Sequence, residues 1–221
     1  MYLYVKRFFD IILASLVLVC LLPIFIPIMI GLKLTGEGEI FYFQKRIGYK
    51  NKYFNIWKFA TMLKNSPNIG TGSITLRKDP RVLPMGHFLR KTKINELPQI
   101  LNVLNGELSI VGPRPLVDQT FNAYSPAIQA IVYNSKPGIT GIGSLVFRDE
   151  EGLFETSTEK DPHVFYKKVI APYKGALEEW YQLNISFQTD FKIIFLTAWA
   201  IIFPKSELVY NWFPTLPKRP F

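Results

Sequence analysis

The sequence predicts a mixed α/β (α+β) protein in which an apolar N-terminal helix precedes one small globular domain. Residues 11–32 carry no charge, and a helix of that length covers roughly 33 Å, enough to cross the hydrocarbon core of a bilayer. The remainder of the 221 residues mixes short β-type runs with helical periodicity. It is long enough for one core and shows no second domain boundary.

The apolar run contains Pro23 and Pro27, which fall four positions apart on one helix face. Each proline lacks an N–H and crowds an earlier carbonyl, so we expect a bend there. Two paths fit this pattern: a single span with proline kinks, or a helix-break-helix hairpin that leaves the membrane on the face it entered. A secretory signal is disfavoured because the run is too long and no A-x-A-like site follows it.

The charges around this run bear on the choice between the two paths. Positive flanks tend to stay in the cytoplasm, and only the hairpin keeps both flanks there. The flanking cations are Lys6, Arg7, Lys33, Lys45, Arg46, Lys50 and Lys52.

The globular part begins with an alternating, aromatic-rich segment, residues 36–60, which predicts a β-hairpin with its turn at 48–51. Residues 64–80 are polar with Pro and Gly and predict a loop. A helix is expected from about Glu96 to Asn105, with Asn95 as its N-cap and Gly106 as its C′ residue. Residues 108–111 read as a short buried strand.

Helical segments are predicted in the second half of the chain. One opens at Ser125 and ends near Asn134, and another opens at Asp161, is broken near Pro172 and resumes through Trp180. Residues 191–203 are apolar but too short to span a membrane, so they predict either an interfacial helix or a buried core helix.

The net charge of +9 favours anionic partners such as phosphates, nucleotides, acidic lipids or nucleic acid. Nucleic-acid binding ranks last, since the basic residues are scattered among turns rather than arranged in a stripe with stacking aromatics. The single cysteine, Cys20, excludes an internal disulfide. No Walker A or Rossmann glycine pattern is present, and the two histidines are isolated from any zinc-type spacing.

Basic side chains at predicted loops and element ends are the candidate phosphate ligands, because a guanidinium group can bind two phosphate oxygens at once. Among them Arg114 is fixed between two prolines, which limits the entropy lost on ordering. The candidates are Arg81, Arg90, Arg114, Arg148 and Lys91.

Asn95 and Glu96 fall at the predicted helix start, where backbone N–H groups favour an anion such as a diphosphate. The competing interpretation is that Asn95 caps the helix and Glu96 complements its dipole. Downstream, Asp149 begins an acidic run that predicts either a solvated patch or ligands for Mg²⁺.

Four segments, in order and spacing across residues 5–150, resemble the bacterial sugar transferases, specifically the monotopic phosphoglycosyl transferases. They are the apolar run behind KRFFD, then FYFQKRIGYKNKYFNIWKFATM, DPRVLPMGHFLRKTKINELPQILNVLNGELSIVGPRP, and KPGITG. The resemblance implies a re-entrant membrane helix over residues 1–35 and a catalytic domain with interfacial helices over 36–221, at the cytoplasmic face of the bacterial inner membrane.

The resemblance also implies an activity: transfer of a phosphosugar from a UDP-sugar to polyprenol (undecaprenyl) phosphate, with Mg²⁺ and release of UMP. This is the first membrane step in making an exopolysaccharide, capsule, O-antigen or glycoprotein glycan, and downstream glycosyltransferases are possible partners. Glu96 and Asn95 are the implied catalytic residues. Glu96 and Asp149 are the candidate metal ligands.

The chain departs from the family at the position where its chemistry is placed. An Asp-Glu pair before Leu-Pro-Gln is usual, and here it is Asn95-Glu96. A carboxamide is a far weaker nucleophile than a carboxylate. Ala60 also replaces a usual arginine, whereas Arg148 keeps the spacing of another.

Three explanations for Asn95 are open. Glu96 or an acid of residues 149–151 serves as the nucleophile, the lipid phosphate attacks directly, or the chain is a catalytically silent subunit that binds nucleotide sugar or scaffolds a glycan-assembly complex. Retention of the other family segments favours an active transferase.

Overall fold

The structure is a computed structural model that describes residues 2–69, 79–156, 159, 161–204 and 206–221. The first half contains α1 (Tyr2–Leu34), β1 (Phe41–Ile47), β2 (Tyr53–Phe59), α2 (Pro84–Lys91), α3 (Gln99–Asn105), β3 (Ser109–Val111) and α4 (Asp118–Phe121). The second half contains α5 (Pro126–Ile131), β4 (Gly138–Thr140), α6 (Ile142–Val146), α7 (Glu150–Thr156), α8 (Pro162–Phe165), α9 (Ala171–Leu183), α10 (Phe187–Ile202) and α11 (Leu208–Trp212).

Helix α1 is, among the described residues, the one helix long and apolar enough to cross a membrane. It continues through Pro23 and Pro27, so the two prolines do not divide it into separate helices. The predicted membrane helix is therefore present as one element, and its re-entrant path stays a prediction.

One face of α1 packs on the globular part from end to end. Near its start, Lys6 pairs with Asp190 on α10, and Asp10 Oδ1 accepts the amide N–H of Ile110 at 3.0 Å. Ala14 is buried against α3. Toward its end, Phe25, Ile28 and Leu32 are buried against Phe59 and Leu89. The opposite face exposes large apolar side chains, among them Phe8, Phe9, Leu16, Val19, Leu22, Ile26 and Ile30.

The predicted β-hairpin is confirmed. Strands β1 and β2 pair antiparallel from Phe41 opposite Phe59 to Ile47 opposite Tyr53. The turn between them places Lys50 and Asn51 at positive φ, 54° and 57°, a conformation that asparagine tolerates better than most residues. Because side chains alternate along a strand, Gln44, Arg46 and Lys58 lie on one face of the hairpin.

Strands β3 and β4 form a second, parallel pair, with Ser109 opposite Gly138 and Val111 opposite Thr140. The pair is tight: a Cβ added to Gly138 would lie 2.1 Å from the amide nitrogen of Gly112, so any side chain there would displace the backbone. The Pro113-Arg114-Pro115 turn follows β3 directly. The amide of Gly138 donates to the carbonyl of Pro113 at 2.9 Å, which ties that turn to β4.

Two details of the helical prediction are corrected in the second half of the chain. The helix that begins after Ser125 ends at Ile131, not near Asn134. The helical region after Asp161 is not broken near Pro172: a π-helical turn, Tyr166–Ile170, joins α8 to α9, and Pro172 lies in the first turn of α9. Pro172 therefore does not end the helical region.

Helix α10 has one face in the core, as one of the two alternatives for residues 191–203 predicts, and its placement at a membrane interface stays a prediction. Ile193 and Leu196 are fully buried in the largest hydrophobic cluster, whereas Phe191, Phe195 and Ile202 are exposed. The helix is therefore amphipathic, with one face in the core and one apolar face outside it. The ring of Tyr2 lies 4.8 Å from that of Phe187, so the first residues of α1 and α10 are in contact.

The predicted loop at 64–80 is partly described. Residues 66–68 form a single 3-10 turn. Residues 70–78 lie outside the described residues.

Candidate functional site

The site is centred on Glu96, whose carboxylate lies between two cations. Lys58 Nζ on β2 is 2.8 Å from Glu96 Oε1, and Arg114 Nη2 is 3.4 Å from the same oxygen. Three separate segments meet here: the hairpin, a 3-10 turn formed by Ile94–Glu96, and the proline-flanked turn after β3. Both cations bind Oε1, and no hydrogen bond from a described residue reaches Oε2.

The charges of the cluster perturb one another. Burial alone would raise the pKa of Glu96, but the charges of Lys58 and Arg114 outweigh it and hold the pKa far below its usual range. Burial lowers the pKa of Lys58 to about 8, even though Glu96 opposes the shift. The charge of Glu96 raises the pKa of Arg114. At neutral pH the cluster therefore holds one carboxylate and more positive charge than it neutralises.

Arg46 adds a third cation. Burial, followed by the charge of Arg114, lowers the pKa of Arg46 to about 10, so it is still charged at neutral pH. Its Nη1 donates to the carbonyl of Pro115 at 3.1 Å and its Nε donates to Gln44 Oε1 at 3.1 Å. Arg46, Lys58 and Arg114 together make a positively charged cluster that suits a phosphate or diphosphate.

The proline-flanked turn that carries Arg114 is held from behind by Tyr133. The Tyr133 hydroxyl donates to the carbonyl of Arg114 at 2.9 Å and accepts the amide N–H of Leu116 at 2.9 Å. This buried clamp fixes the backbone on both sides of Pro115. The Arg114 side chain itself remains 39% exposed, so it is positioned and accessible at once.

Asn95 does not act as a helix cap, which corrects the sequence-based prediction. Helix α3 begins at Gln99 with Pro98 as its cap residue, and Asn95 lies inside the preceding 3-10 turn. The turn is set by Lys93, which adopts a left-handed conformation with φ of 60°. The predicted anion site at a helix start is therefore not formed by α3, because the Asn95-Glu96 pair precedes the helix by a full turn.

The Asn95 side chain is buried, and its Oδ1 makes no hydrogen bond with any described residue. A buried amide oxygen without a partner is costly and uncommon in folded proteins. It lies beside Glu96 in the sequence, and a catalytic role is one of the explanations for a buried group without a partner.

A second polar group of side chains lies behind Arg114. Lys174 Nζ on α9 is 2.6 Å from Glu150 Oε2, and the charge of Glu150 raises the pKa of Arg114. Glu178, also on α9, is buried, and burial raises its pKa to about 7 against the opposing charge of Lys174. Neither Glu178 Oε2 nor the hydroxyl of Tyr166 has a hydrogen-bond partner among the described residues.

Of the predicted phosphate ligands, Arg114 joins Glu96, whereas Arg81 is engaged elsewhere. The guanidinium of Arg81 is buried; it pairs with Asp79 through Nε and Nη2 and donates through Nη1 to the carbonyls of Ser66 and Ile69. These bonds hold together the segment that precedes α2. The structure therefore gives Arg81 a structural role and does not bring it to Glu96.

The remaining predicted phosphate and metal ligands make no hydrogen bond or ion pair with Glu96 in the described part of the chain; they lie on α2 or next to α7. Arg90, on α2, approaches the sulfur of Met62 at 3.7 Å. Lys91 and Arg148 are exposed, and neither has an ion-pair partner in the described part of the chain. Asp149 is exposed and accepts the amide N–H of Gly152 at 3.2 Å, so it supports the first turn of α7. Phosphate binding by these three cations and metal binding by Asp149 stay predictions.

The sequence reasoning did not identify Lys58, Arg46, Lys174 and Glu178 as members of this region. Arg46 was counted only as a flanking charge. Lys58 had one usable signal: in the hairpin it lies opposite Tyr42, on the same face as Gln44 and Arg46. Lys174 and Glu178 are four apart on one helix, but nothing local indicates that they face Arg114.

The sequence of this chain matches a known protein family and several known proteins. The model of the bacterial sugar transferases matches residues 1–204. The exopolysaccharide production protein ExoY of Rhizobium meliloti is 36% identical over 211 residues, which cover 89% of this chain and 84% of that protein. The ExoY protein of Sinorhizobium fredii is 33% identical over 210 residues with the same coverage, 89% and 84%.

Longer relatives match as well. The UDP-glucose:undecaprenyl-phosphate glucose-1-phosphate transferase of Escherichia coli is 34% identical over 189 residues, which cover 85% of this chain and 39% of that protein. The chain thus spans most of the ExoY proteins but less than half of this larger transferase.

Proposed function

Because the chain belongs to the bacterial sugar transferase family, we propose that it transfers a phosphosugar from a UDP-sugar to undecaprenyl phosphate, as an early step in polysaccharide production. The names of its relatives support this reaction. The single observation that carries it is the cluster in which Arg46, Lys58 and Arg114 surround Glu96. Three cations around one accessible carboxylate suit a diphosphate substrate and its transfer.

In the proposed reaction, the P–O bond between the sugar-bearing phosphorus and the bridging oxygen breaks, and UMP leaves with that oxygen. A new O–P bond joins the sugar phosphate to the phosphate of the lipid. The guanidinium of Arg114 and the ammonium of Lys58 stabilise the charge that moves onto the departing UMP oxygen. Arg46 keeps the Arg114 turn in position and adds to the positive field.

Glu96 is the proposed nucleophile in place of the usual aspartate. Its low pKa keeps it ionised at neutral pH. Lys58 and Arg114 hold one oxygen, Oε1, so Oε2 is left to attack phosphorus. Attack by Oε2 forms a phosphosugar ester of Glu96 and releases UMP, and the lipid phosphate then displaces the carboxylate. Asn95 is neutral and serves as a neighbour of this carboxylate.

Magnesium is part of the proposal. Among the described residues no three acidic, histidine or cysteine side chains come together as a ready-made metal site. Mg²⁺ usually takes only one or two carboxylates, with substrate phosphates and water completing its shell. Because Glu96 Oε2 is the attacking atom, the exposed carboxylate of Asp149 is the proposed protein ligand. Bound there with a diphosphate, Mg²⁺ would neutralise phosphate charge.

The membrane arrangement proposed for α1 is re-entrant, with the domain at the cytoplasmic face. The supporting observation is that both ends of α1 contact the same globular part: Lys6 pairs with Asp190 near the start, and Leu32 packs in a cluster with Phe59 near the end. If α1 crossed the bilayer, these two contacts would lie on opposite sides of roughly 30 Å of hydrocarbon, and the polar globular part that makes both of them would have to extend through the membrane.

Single cysteines at Tyr4 and Glu37, in a variant lacking Cys20, test this path. A membrane-impermeant thiol reagent applied to inverted inner-membrane vesicles is expected to label both positions. Labelling of one position only in inverted vesicles, and of the other only in right-side-out vesicles, would establish a span instead.

A second candidate function, a catalytically silent subunit that binds nucleotide sugar, is favoured by one observation: Asn95 is neutral. The two functions are separated by incubating the protein in nanodiscs with UDP-sugars, Mg²⁺ and undecaprenyl phosphate. UMP release supports the transferase, and UDP-sugar binding without UMP release across a panel of UDP-sugars supports the silent subunit.

Intact-mass measurement without the lipid acceptor tests the role of Glu96. We expect a phosphosugar adduct with the wild type and with Asn95→Asp, and none with Glu96→Gln. UMP release that begins only when lipid is added, with no adduct in its absence, would mean that the lipid phosphate attacks directly.

A further inference from the structure

We infer that Asn102 is a positioning residue for the proposed transfer reaction: its side-chain amide ties the backbone of β2 to α3 and thereby holds Lys58 against Glu96. The inference rests on the proposed function for its kinetic readout. Asn102 lies on α3 and is 0% exposed. Its side-chain hydrogen bonds go to the backbone of β2 and to Glu107 rather than to Glu96, so it acts through Lys58.

The Asn102 amide binds the open edge of β2. Among the described strands β2 pairs only with β1, so backbone groups on its other edge need partners. Asn102 Oδ1 accepts the amide N–H of Trp57 at 2.9 Å, and Asn102 Nδ2 donates to the carbonyl of Asn55 at 2.8 Å. One planar amide therefore satisfies a donor and an acceptor of the strand, as a neighbouring strand would.

Glu107 fixes the orientation of this amide. Its Oε2 accepts a second hydrogen bond from Asn102 Nδ2, at 2.7 Å. Both hydrogens of Nδ2 thus have acceptors, and the amide oxygen faces the N–H of Trp57. A flipped amide would place its nitrogen against that N–H, donor against donor. The amide therefore holds β2 in one register.

The face of β2 that lies on α3 is also the face that carries Lys58. Ile56 and Lys58 share this face, because side chains alternate along a strand. Ile56 is buried in a cluster with Ile100 and Val103 of α3. Two residues further along, Lys58 Nζ reaches Glu96 Oε1 at 2.8 Å, in the turn that precedes α3.

Hydrogen bonding, rather than apolar packing, sets the position of Lys58 along the strand. Hydrophobic contact is non-directional, whereas the two bonds of Asn102 require defined distances and angles. Lys58 directly follows Trp57, so a displacement of Trp57 also moves the Lys58 ammonium. Since Lys58 is proposed to stabilise the departing UMP oxygen, its displacement should slow the chemical step more than it weakens substrate binding.

The kinetic test uses the full chain in nanodiscs with a UDP-sugar that it turns over. We expect Asn102→Ala to lower kcat about tenfold to 100-fold, while the KM for the UDP-sugar changes less than about threefold. Asn184→Ala is the matched control. Asn184 Nδ2 also donates to a backbone carbonyl, that of Trp180 at 2.8 Å, but at the end of α9. Its loss should leave kcat unchanged.

Glu107 tests the same bonds with less disturbance of the core, because it is only partly buried. We expect Glu107→Ala to lower kcat about threefold to tenfold, since the amide loses the partner that orients it. Glu107→Gln should match the wild type, because the glutamine carbonyl can still accept from Asn102. If Asn102→Ala does not fold, an unchanged kcat in Glu107→Ala overturns the inference.

A double-mutant cycle separates positioning of Lys58 from general stabilisation. If Asn102 acts through Lys58, Asn102→Ala should add little to the effect of Lys58→Ala on kcat. Fully additive losses, a rise in KM that exceeds the loss in kcat, or an equal loss in Asn184→Ala would overturn the inference.

Selective acylation of lysines provides a readout that does not depend on turnover. The Lys58 side chain is 15% exposed and the Lys64 side chain 76% exposed, so Lys64 is an internal reference. In Asn102→Ala the acylation of Lys58 relative to Lys64 should rise about fivefold, because the pair with Glu96 opens more often. Asn184→Ala should show no such rise.

The acylation ratio also separates the two proposals. If the wild type releases no UMP with any UDP-sugar, the proposed function fails, and peptide mass spectrometry still decides whether Asn102 holds Lys58. An unchanged ratio of Lys58 to Lys64 acylation in Asn102→Ala would overturn the inference in either case.

Discussion

Two arginine–carboxylate pairs in this molecule have nearly the same chemistry and opposite surroundings. In the Arg81–Asp79 pair both side chains are 4% exposed, and the guanidinium also binds two backbone carbonyls. In the Arg114–Glu96 pair the side chains are 39% and 27% exposed and meet through a single 3.4 Å contact. The first pair closes a loop, and the second leaves donors facing outward.

The difference shows what separates a structural arginine from a binding arginine. A guanidinium group whose donors are all used inside the protein cannot take up phosphate without breaking existing bonds. A guanidinium that is held through its backbone, as the Arg114 turn is held by Tyr133, keeps its donors for a ligand. The exposure and hydrogen-bond partners of an arginine therefore say more about its function than its place in a motif.

The largest expected effect is at the carboxylate of the open pair. Glu96→Gln should lower the rate of UMP release by about 10³-fold or more, because it removes both the proposed nucleophile and the charge that orients Lys58 and Arg114. Glu179→Gln, an exposed change on α9, is the matched control. A Glu96→Gln protein with more than a tenth of wild-type activity would exclude Glu96 as the nucleophile.

The next prediction compares the two arginines directly. Arg114→Lys should reduce kcat/KM by about tenfold to 100-fold with little change in thermal stability, because lysine lacks the two-pronged donor group. Arg81→Lys should instead destabilise the fold by about 2 kcal/mol or more, since the buried Asp79 loses part of its bonding. Activity assays and thermal melting of both variants are needed, and the comparison fails if their effects are exchanged.

A pH profile tests the cations around Glu96. Lys58 has a pKa of about 8, so it is charged below that pH and neutral above it. We expect kcat/KM to fall about tenfold per pH unit above pH 8. In Lys58→Arg this decline should move to higher pH, because arginine stays charged. An identical alkaline limb in both proteins would show that another group titrates there.

The smallest expected effect concerns Glu178, behind the open pair. Its pKa in the folded protein, about 7, lies above its usual value. The protonated form therefore stabilises the fold at low pH, and this contribution is lost as the pH rises through 7. Between pH 5 and 8 the unfolding free energy should fall by roughly 1–3 kcal/mol from this group.

Glu178→Gln should remove that part of the pH dependence, because glutamine does not titrate. Thermal midpoints measured at pH 5 and pH 8 compare the two proteins. If the wild type and Glu178→Gln change in parallel, the titrating carboxylate is not Glu178.

The sequence alone was sufficient for features that depend on local patterns. The helix over the uncharged residues 11–32, the alternating hairpin strands and Gly106 as the residue that ends α3 from just beyond it were all predicted and are present. Each follows from the side-chain period of one element or from the backbone preference of one residue. The proline-flanked turn around Arg114 was also recognisable, because the two prolines restrict the backbone.

Only the tertiary structure decided which charged groups meet. Lys58 and Glu96 meet although the strand and the turn that carry them are far apart in the sequence. Arg81 does not reach Glu96, because its guanidinium is buried in a pair with Asp79. The burial of a charged group, and its pairing with a group from another element, depend on distances of a few ångströms that no local pattern encodes. Asn95 is an example: asparagine is a residue type that often caps a helix, but here it lies in a turn, and its Oδ1 has no partner among the described residues.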